Sequence, residues 1–73
     1  MITKEMAMKV KEKLKKILRG ESWLRGIGIT KVDEDFAVKV NVNKITVKIR
    51  QIVPLVLDGV AIVLDEVGDI IAL

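Results

Sequence analysis

Apolar and polar positions along this chain follow two different periods, and the change of period divides it into elements. From Ile2 to Leu18, the residues Ile2, Met6, Ala7, Val10, Leu14, Ile17 and Leu18 fall on one arc at about 100° per residue. Lys4, Lys11, Glu12, Lys15, Lys16 and Arg19 lie on the opposite side. Thr3 is placed to cap the N-terminus, Glu5 sits in the first turn, and Gly20 stands where a helix leaves its last turn. The pattern predicts one amphipathic helix over residues 4–19, with its last-turn lysines beside the negative end of the helix dipole.

After Gly20 the period drops to two. Residues 25–32, RGIGITKV, read as a first strand, and the acidic run at 33–35 reads as a turn. Phe36, Val38, Val40 and Val42 then alternate with Ala37, Lys39, Asn41 and Asn43, as in a half-buried antiparallel strand. The alternation returns with shifted parity at Ile45, Val47 and Ile49. A two-residue hairpin at Asn43–Lys44 accounts for the shift, pairing Val42 with Ile45, Val40 with Val47 and Val38 with Ile49. A bulge in one long bent strand is the alternative, because Asn-Lys is a weaker turn than Asn-Gly. Pro54 ends regular pairing or marks an edge, Asp58–Gly59 supplies a turn, and residues 60–67 form an uninterrupted apolar strand. A last short strand is expected at residues 70–73, after Gly68–Asp69. The sum is a single α+β domain over residues 1–73: one N-terminal amphipathic helix packed on a four- to five-stranded, mostly antiparallel sheet.

Composition adds a difficulty to that picture. The chain has 73 residues, of which 51% are hydrophobic, and most of these are Val, Ile and Leu. A domain of this size buries only about 60% of the surface its unfolded chain exposes, so some aliphatic side chains must reach the outside. Small domains usually add a disulfide, a metal or a partner. Cys and His are absent, which removes disulfides and the commonest soft-metal ligands. The expectation is therefore a homo-oligomer or a subunit that docks on a protein partner. The segment MITKEMAMKVKEKL has no apolar core after its charges, and the longest apolar run is broken by Pro54, Asp58 and Gly59. Neither a secretory leader nor a membrane span is expected, and a cytoplasmic location is. Abundant Lys, Glu, Ile and Val with no Cys resembles thermophile composition.

Charge is unevenly placed. Residues 1–50 carry a net +7 and residues 51–73 a net −4, so the two parts can attract each other in the fold or stand as separate solvated surfaces.

The inventory for chemistry is thin. Without His or Cys the commonest general base and the best nucleophile are missing, and Ser22 is the only serine. The acidic groups at 33–35 and 65–66, with Asp58 and Asp69, lack the alternating spacing of a dedicated calcium loop and read as turn residues and strand ends. No catalytic residue, cofactor, metal or small-molecule substrate is expected. Gly26 and Gly28 sit two apart within a strand that follows a helix. A phosphate loop needs the reverse order, with a helix N-terminus after the glycines. Their bare backbone instead allows the helix or a symmetry mate to lie close, or one of them forms a bulge. Together with Trp23, a core plug or interface anchor, they form the candidate protein interface. The alternative is nucleic-acid binding through Lys11, Lys15 and Arg19 on the basic helix and Lys39, Lys48 and Arg50 on the outer face of the hairpin. Against it, the sheet supplies one aromatic, Phe36, of apolar parity, where single-strand binders stack bases on several.

The stretches WLRGIGITKVDEDFAVKVNV and VPLVLDGVAIVLDEVGDIIAL resemble a group of small, uncharacterised bacterial and archaeal domains. Their shared points are Gly26-Ile27-Gly28, Pro54, Leu57, Gly59-Val60, Gly68, Ile70 and Ala72-Leu73, with Ala61 where the group usually has Pro. Similar segments occur beside trypsin-like protease domains. The resemblance implies the helix-and-sheet fold and carries no activity; nothing like a protease triad is present.

Overall fold

A computed structural model of the chain describes residues 1–68. The N-terminal helix α1 spans Lys4–Ile17. The Thr3 side chain accepts the Met6 N–H, and the Leu18 N–H donates to the Leu14 carbonyl to close the last turn. α1 therefore stops two residues short of the predicted end, and Gly20 turns the chain away with φ of +86°. Ala7, Val10, Leu14 and Leu18 form the buried stripe. Ile17, assigned to the same arc by its spacing, lies at the margin and is 60% exposed.

Among the described residues four strands follow: β1 (Leu24–Val32), β2 (Asp35–Val42), β3 (Val56–Leu57) and β4 (Val60–Glu66). A second helix, α2 (Val47–Ile52), lies between β2 and β3. In space the sheet runs β1-β2-β4-β3, antiparallel at β1-β2 and β3-β4 and parallel at β2-β4. It is thus a mixed, mostly antiparallel sheet of four strands, and the fold is α+β. The expected strand at residues 70–73 lies outside the described residues.

Two tight turns set the register. Val32 pairs with Asp35, and Asp33 between them takes φ of +57°. Leu57 pairs with Val60, and Asp58 and Gly59 both take positive φ (+50° and +79°), as a type I′ hairpin requires at both loop positions. A bulge between Leu24 and Gly26 shifts the register at the start of β1; its extra residue is Arg25, while Gly26 and Gly28 pair in register with Asn41 and Lys39, so neither glycine forms the bulge.

The predicted hairpin at residues 43–44 does not form, nor does the long bent strand. Residues 47–52 are helical instead. The Thr46 hydroxyl accepts the Ile49 N–H at 3.2 Å, satisfying one of the free donors of a helix start. Ile49 and Val53, four apart, turn inward together. Ile45, Val47 and Ile49 alternate, but so short an apolar run fits either period, and tertiary pairing decides. The β2 edge that a hairpin would have used is taken by β4, which sets Ile62 beside Val38 and Leu64 beside Val40.

The core lies on one face of the sheet. Val38, Val40, Val42, Val60 and Ile62 meet Ala7, Val10, Leu14 and Leu18 of the first helical segment and Ile49 and Val53 of the second. Each fully buried Val or Leu contributes about 1.5–3 kcal/mol, so this cluster outweighs the polar contacts around it. Two ion pairs join the basic and acidic parts of the chain: Lys13 to Asp58, which ties α1 to the β3-β4 turn, and Lys39 to Asp65 at 3.1 Å across β2-β4. All four side chains are more than a third exposed, so each pair contributes about 1 kcal/mol at most.

Candidate docking surface

The segment from α2 to β3 leaves more apolar surface outside than any packed helix-and-sheet element needs. α2 is only one and a half turns long and buries a single stripe, Ile49 and then Val53, so Val47 faces out at 73% exposure. Pro54 then stops the helix from continuing. Leu55 and Val56 come next, at 79% and 59% exposure, because β3 pairs through only two residues at the sheet margin.

Between this segment and β4 lies an open cleft of about 320 Å³, lined by Ile45, Arg50, Val53, Leu55, Ile62 and Leu64, with Pro54 at its rim. Its walls are aliphatic except for Arg50, which enters no ion pair among the described residues. The cleft borders a strand edge. The Val67 N–H donates to the Val42 carbonyl, so the odd-numbered residues of β4 point their backbone groups towards β2. The even-numbered ones point the other way, where the Ile62 N–H reaches the Leu55 carbonyl at 2.8 Å. β3 pairs no further along than Ala61, so among the described residues no strand lies against the outward backbone groups of Leu64. An unpaired edge beside an apolar cleft is the arrangement that accepts an added strand.

The sequence-derived interface residues lie elsewhere. Gly26 and Gly28 do not face α1, which overturns the reading that their bare backbone admits the helix. Ile27 and Ile29 pack on the core, and the alternation of the strand sends the glycines to the opposite face. A Cβ on Gly28 would meet nothing within 4 Å, and one on Gly26 would meet the Asn41 Nδ2 at an ordinary 3.7 Å. Neither glycine needs a positive φ. Gly28→Ala is therefore expected to raise the unfolding free energy by about 0.4–1 kcal/mol, read as a higher midpoint in urea; a lower midpoint would show that this position must stay bare. Asn41, beside them on the same face, has its Oδ1 buried without a hydrogen-bond donor among the described residues. Trp23 is half-buried and packs against the core margin, as a plug does.

The six cations of the alternative reading fall on three surfaces. Lys11, Lys15 and Arg19 belong to α1 and the turn after it, with Lys15 beside Glu12 at 3.7 Å. Lys39 lies on the sheet face away from the helices, paired with Asp65. Lys48 and Arg50 are on α2, and the hairpin face expected to gather them with Lys39 does not exist. Phe36, the one sheet aromatic, lies under the Lys31 ammonium at 4.8 Å from its ring centre.

Among the described residues no three acidic side chains converge as a metal site, and no helix is long and apolar enough to cross a membrane. A second depression, lined by Met6, Lys9, Val10, Lys13 and Asp58, is shallower and contains the ion pair that ties α1 to the turn. Sequence reasoning named Arg50 for a different role and missed Leu55 and the Leu64 edge. The signal that was present is a capping Thr46 followed by Ile49, Val53 and then Pro54, a helix start and stop eight residues apart. Comparison of the chain with family models, curated proteins and solved structures returned no match.

Proposed function

We propose that this chain is a non-enzymatic interaction module that self-associates or docks on a protein partner. The observation that supports it is the apolar surface of Val47, Leu55 and Val56 beside a strand edge that is unpaired among the described residues. Aliphatic side chains at these exposures gain free energy on leaving water, at about 25 cal/mol per Å² buried, and none of them is needed by the core of this domain. The absent His and Cys point the same way, since an interaction module needs neither.

Leu55→Glu is the test. Leu55 is largely in solvent, so the change leaves the core intact and places a charge on the apolar surface. By light scattering at tens of micromolar, or by recovery of a defined partner with the tagged chain, the native protein associates and the Leu55→Glu variant does so at least about tenfold more weakly. A native chain that stays monomeric and recovers nothing that the variant fails to recover would refute the reading.

A further inference from the structure

The cleft beside β4 combines three features that constrain its occupant. Its lining side chains are aliphatic but for one, Arg50, which has no ion-pair partner among the described residues, and one rim is a strand edge whose backbone donors and acceptors meet no strand among those residues. We propose that it binds an extended peptide segment of a partner protein, alternating in pattern, apolar on one face and carrying a carboxylate on that same face, which adds to β4 as a further strand. The proposal rests on the interaction-module reading and gives it a chemical class of partner.

Geometry sets the pattern. Residues paired across a ladder point to the same side of the sheet, so a residue opposite Leu64 shares the face that carries Ile62 and Leu64. That face opens into the cleft. Every second side chain of the incoming strand therefore enters among Ile45, Val53 and Leu55, while the others stay in solvent. A volume of about 320 Å³ takes two aliphatic side chains of Leu size and no folded element. Arg50 selects the charge: its guanidinium forms a forked pair with a carboxylate and repels a basic residue at the same place. The Leu64 N–H and C=O supply main-chain bonds that do not depend on the sequence of the guest.

The probes are two capped, fluorescein-labelled hexapeptides, Thr-Leu-Thr-Leu-Thr-Asp and Asp-Thr-Leu-Thr-Leu-Thr, which carry the acid at opposite ends and so allow for either strand direction. They are titrated by anisotropy against the full 73-residue chain. At least one is expected to bind, to weaken about tenfold with Arg50→Gln, and to weaken comparably when its Asp is replaced by Asn. Binding should also slow hydrogen exchange of the Leu64 amide, a signature that adhesion to the apolar patch alone would not produce. Arg50 is exposed and has no ion-pair partner among the described residues, so the variant should keep its native melting curve, and that curve is the control. No binding of either peptide at millimolar concentration overturns the strand-addition proposal, as does binding that ignores Arg50 or leaves the Leu64 amide unprotected. Leu55-dependent self-association in that case identifies a second copy as the occupant and leaves the interaction-module reading standing. If the chain neither associates nor binds, both fail.

Discussion

Leu14→Ala is expected to lower the unfolding free energy by about 3 kcal/mol, within the roughly 2–5 kcal/mol found for buried Leu truncations. Leu14 is fully buried at the middle of the α1 stripe and is among the largest fully buried side chains. Its helix packs on strands β1 and β2, and the buried strand side of the core is built from β-branched Val and Ile with restricted rotamers, which refill a vacated space poorly. For a chain of 73 residues the whole stability is about 4–11 kcal/mol, so the loss takes roughly a quarter of it or more. Urea unfolding followed by far-ultraviolet circular dichroism measures it. Leu14→Met, which keeps the volume, should lose less than about 1.5 kcal/mol. Equal losses in the two variants, or a loss under 1 kcal/mol (roughly) in the alanine variant, would mean that α1 does not rest on the sheet as described.

The second large effect is expected at the β3-β4 turn. Gly59 holds φ of +79°, a region where a Cβ meets the neighbouring carbonyl. A Cβ there would touch no other part of the protein, so the penalty of substitution is one of backbone conformation alone. Gly59→Val places a branched side chain in that conformation and should cost about 2 kcal/mol, whereas Gly59→Asn, whose side chain tolerates left-handed backbone, should cost about half as much or less. The turn also presents Asp58 to Lys13 and holds Leu55 against Ile62, so the valine variant should disturb the Leu55 wall of the cleft as well. Thermal unfolding of the three proteins gives the order. If valine and asparagine are equivalent, the turn has another geometry.

These two positions also show what could be read in advance. The α1 stripe was legible because four buried residues repeat at three- and four-residue steps over about three turns, and no other regular element satisfies that spacing. The β3-β4 turn was legible because Asp-Gly has one common use between apolar runs. Residues 44–50 were not. Ile45, Val47 and Ile49 satisfy a strand, Ile49 and Val53 satisfy a helix, and the choice was made by a competitor distant in sequence, β4, which took the free edge of β2 in parallel. That the chain would leave aliphatic side chains outside followed from length and composition. Which ones did not, because exposure at Val47, Leu55 and Val56 depends on α2 being short and β3 shorter. Gly26 and Gly28 were correctly seen as a bare strip within a strand, but their facing required knowing that Ile27 and Ile29 belong to the core.

The place of β4 between β2 and β3 has a consequence for how the chain reaches its native state. β1 and β2 are neighbours in sequence and can meet as a local hairpin, closing a loop of two residues in microseconds. The central ladder cannot form until Val60–Glu66 are present, since β4 must insert beside β2 after the intervening crossover is made. Loop closure over that distance is slower and makes it the natural rate-limiting event. During synthesis, a ribosome-bound chain that has emerged only as far as α2 therefore holds Val38, Val40 and Val42 on a strand with one uncovered side, open to unwanted pairing until the last quarter of the molecule arrives.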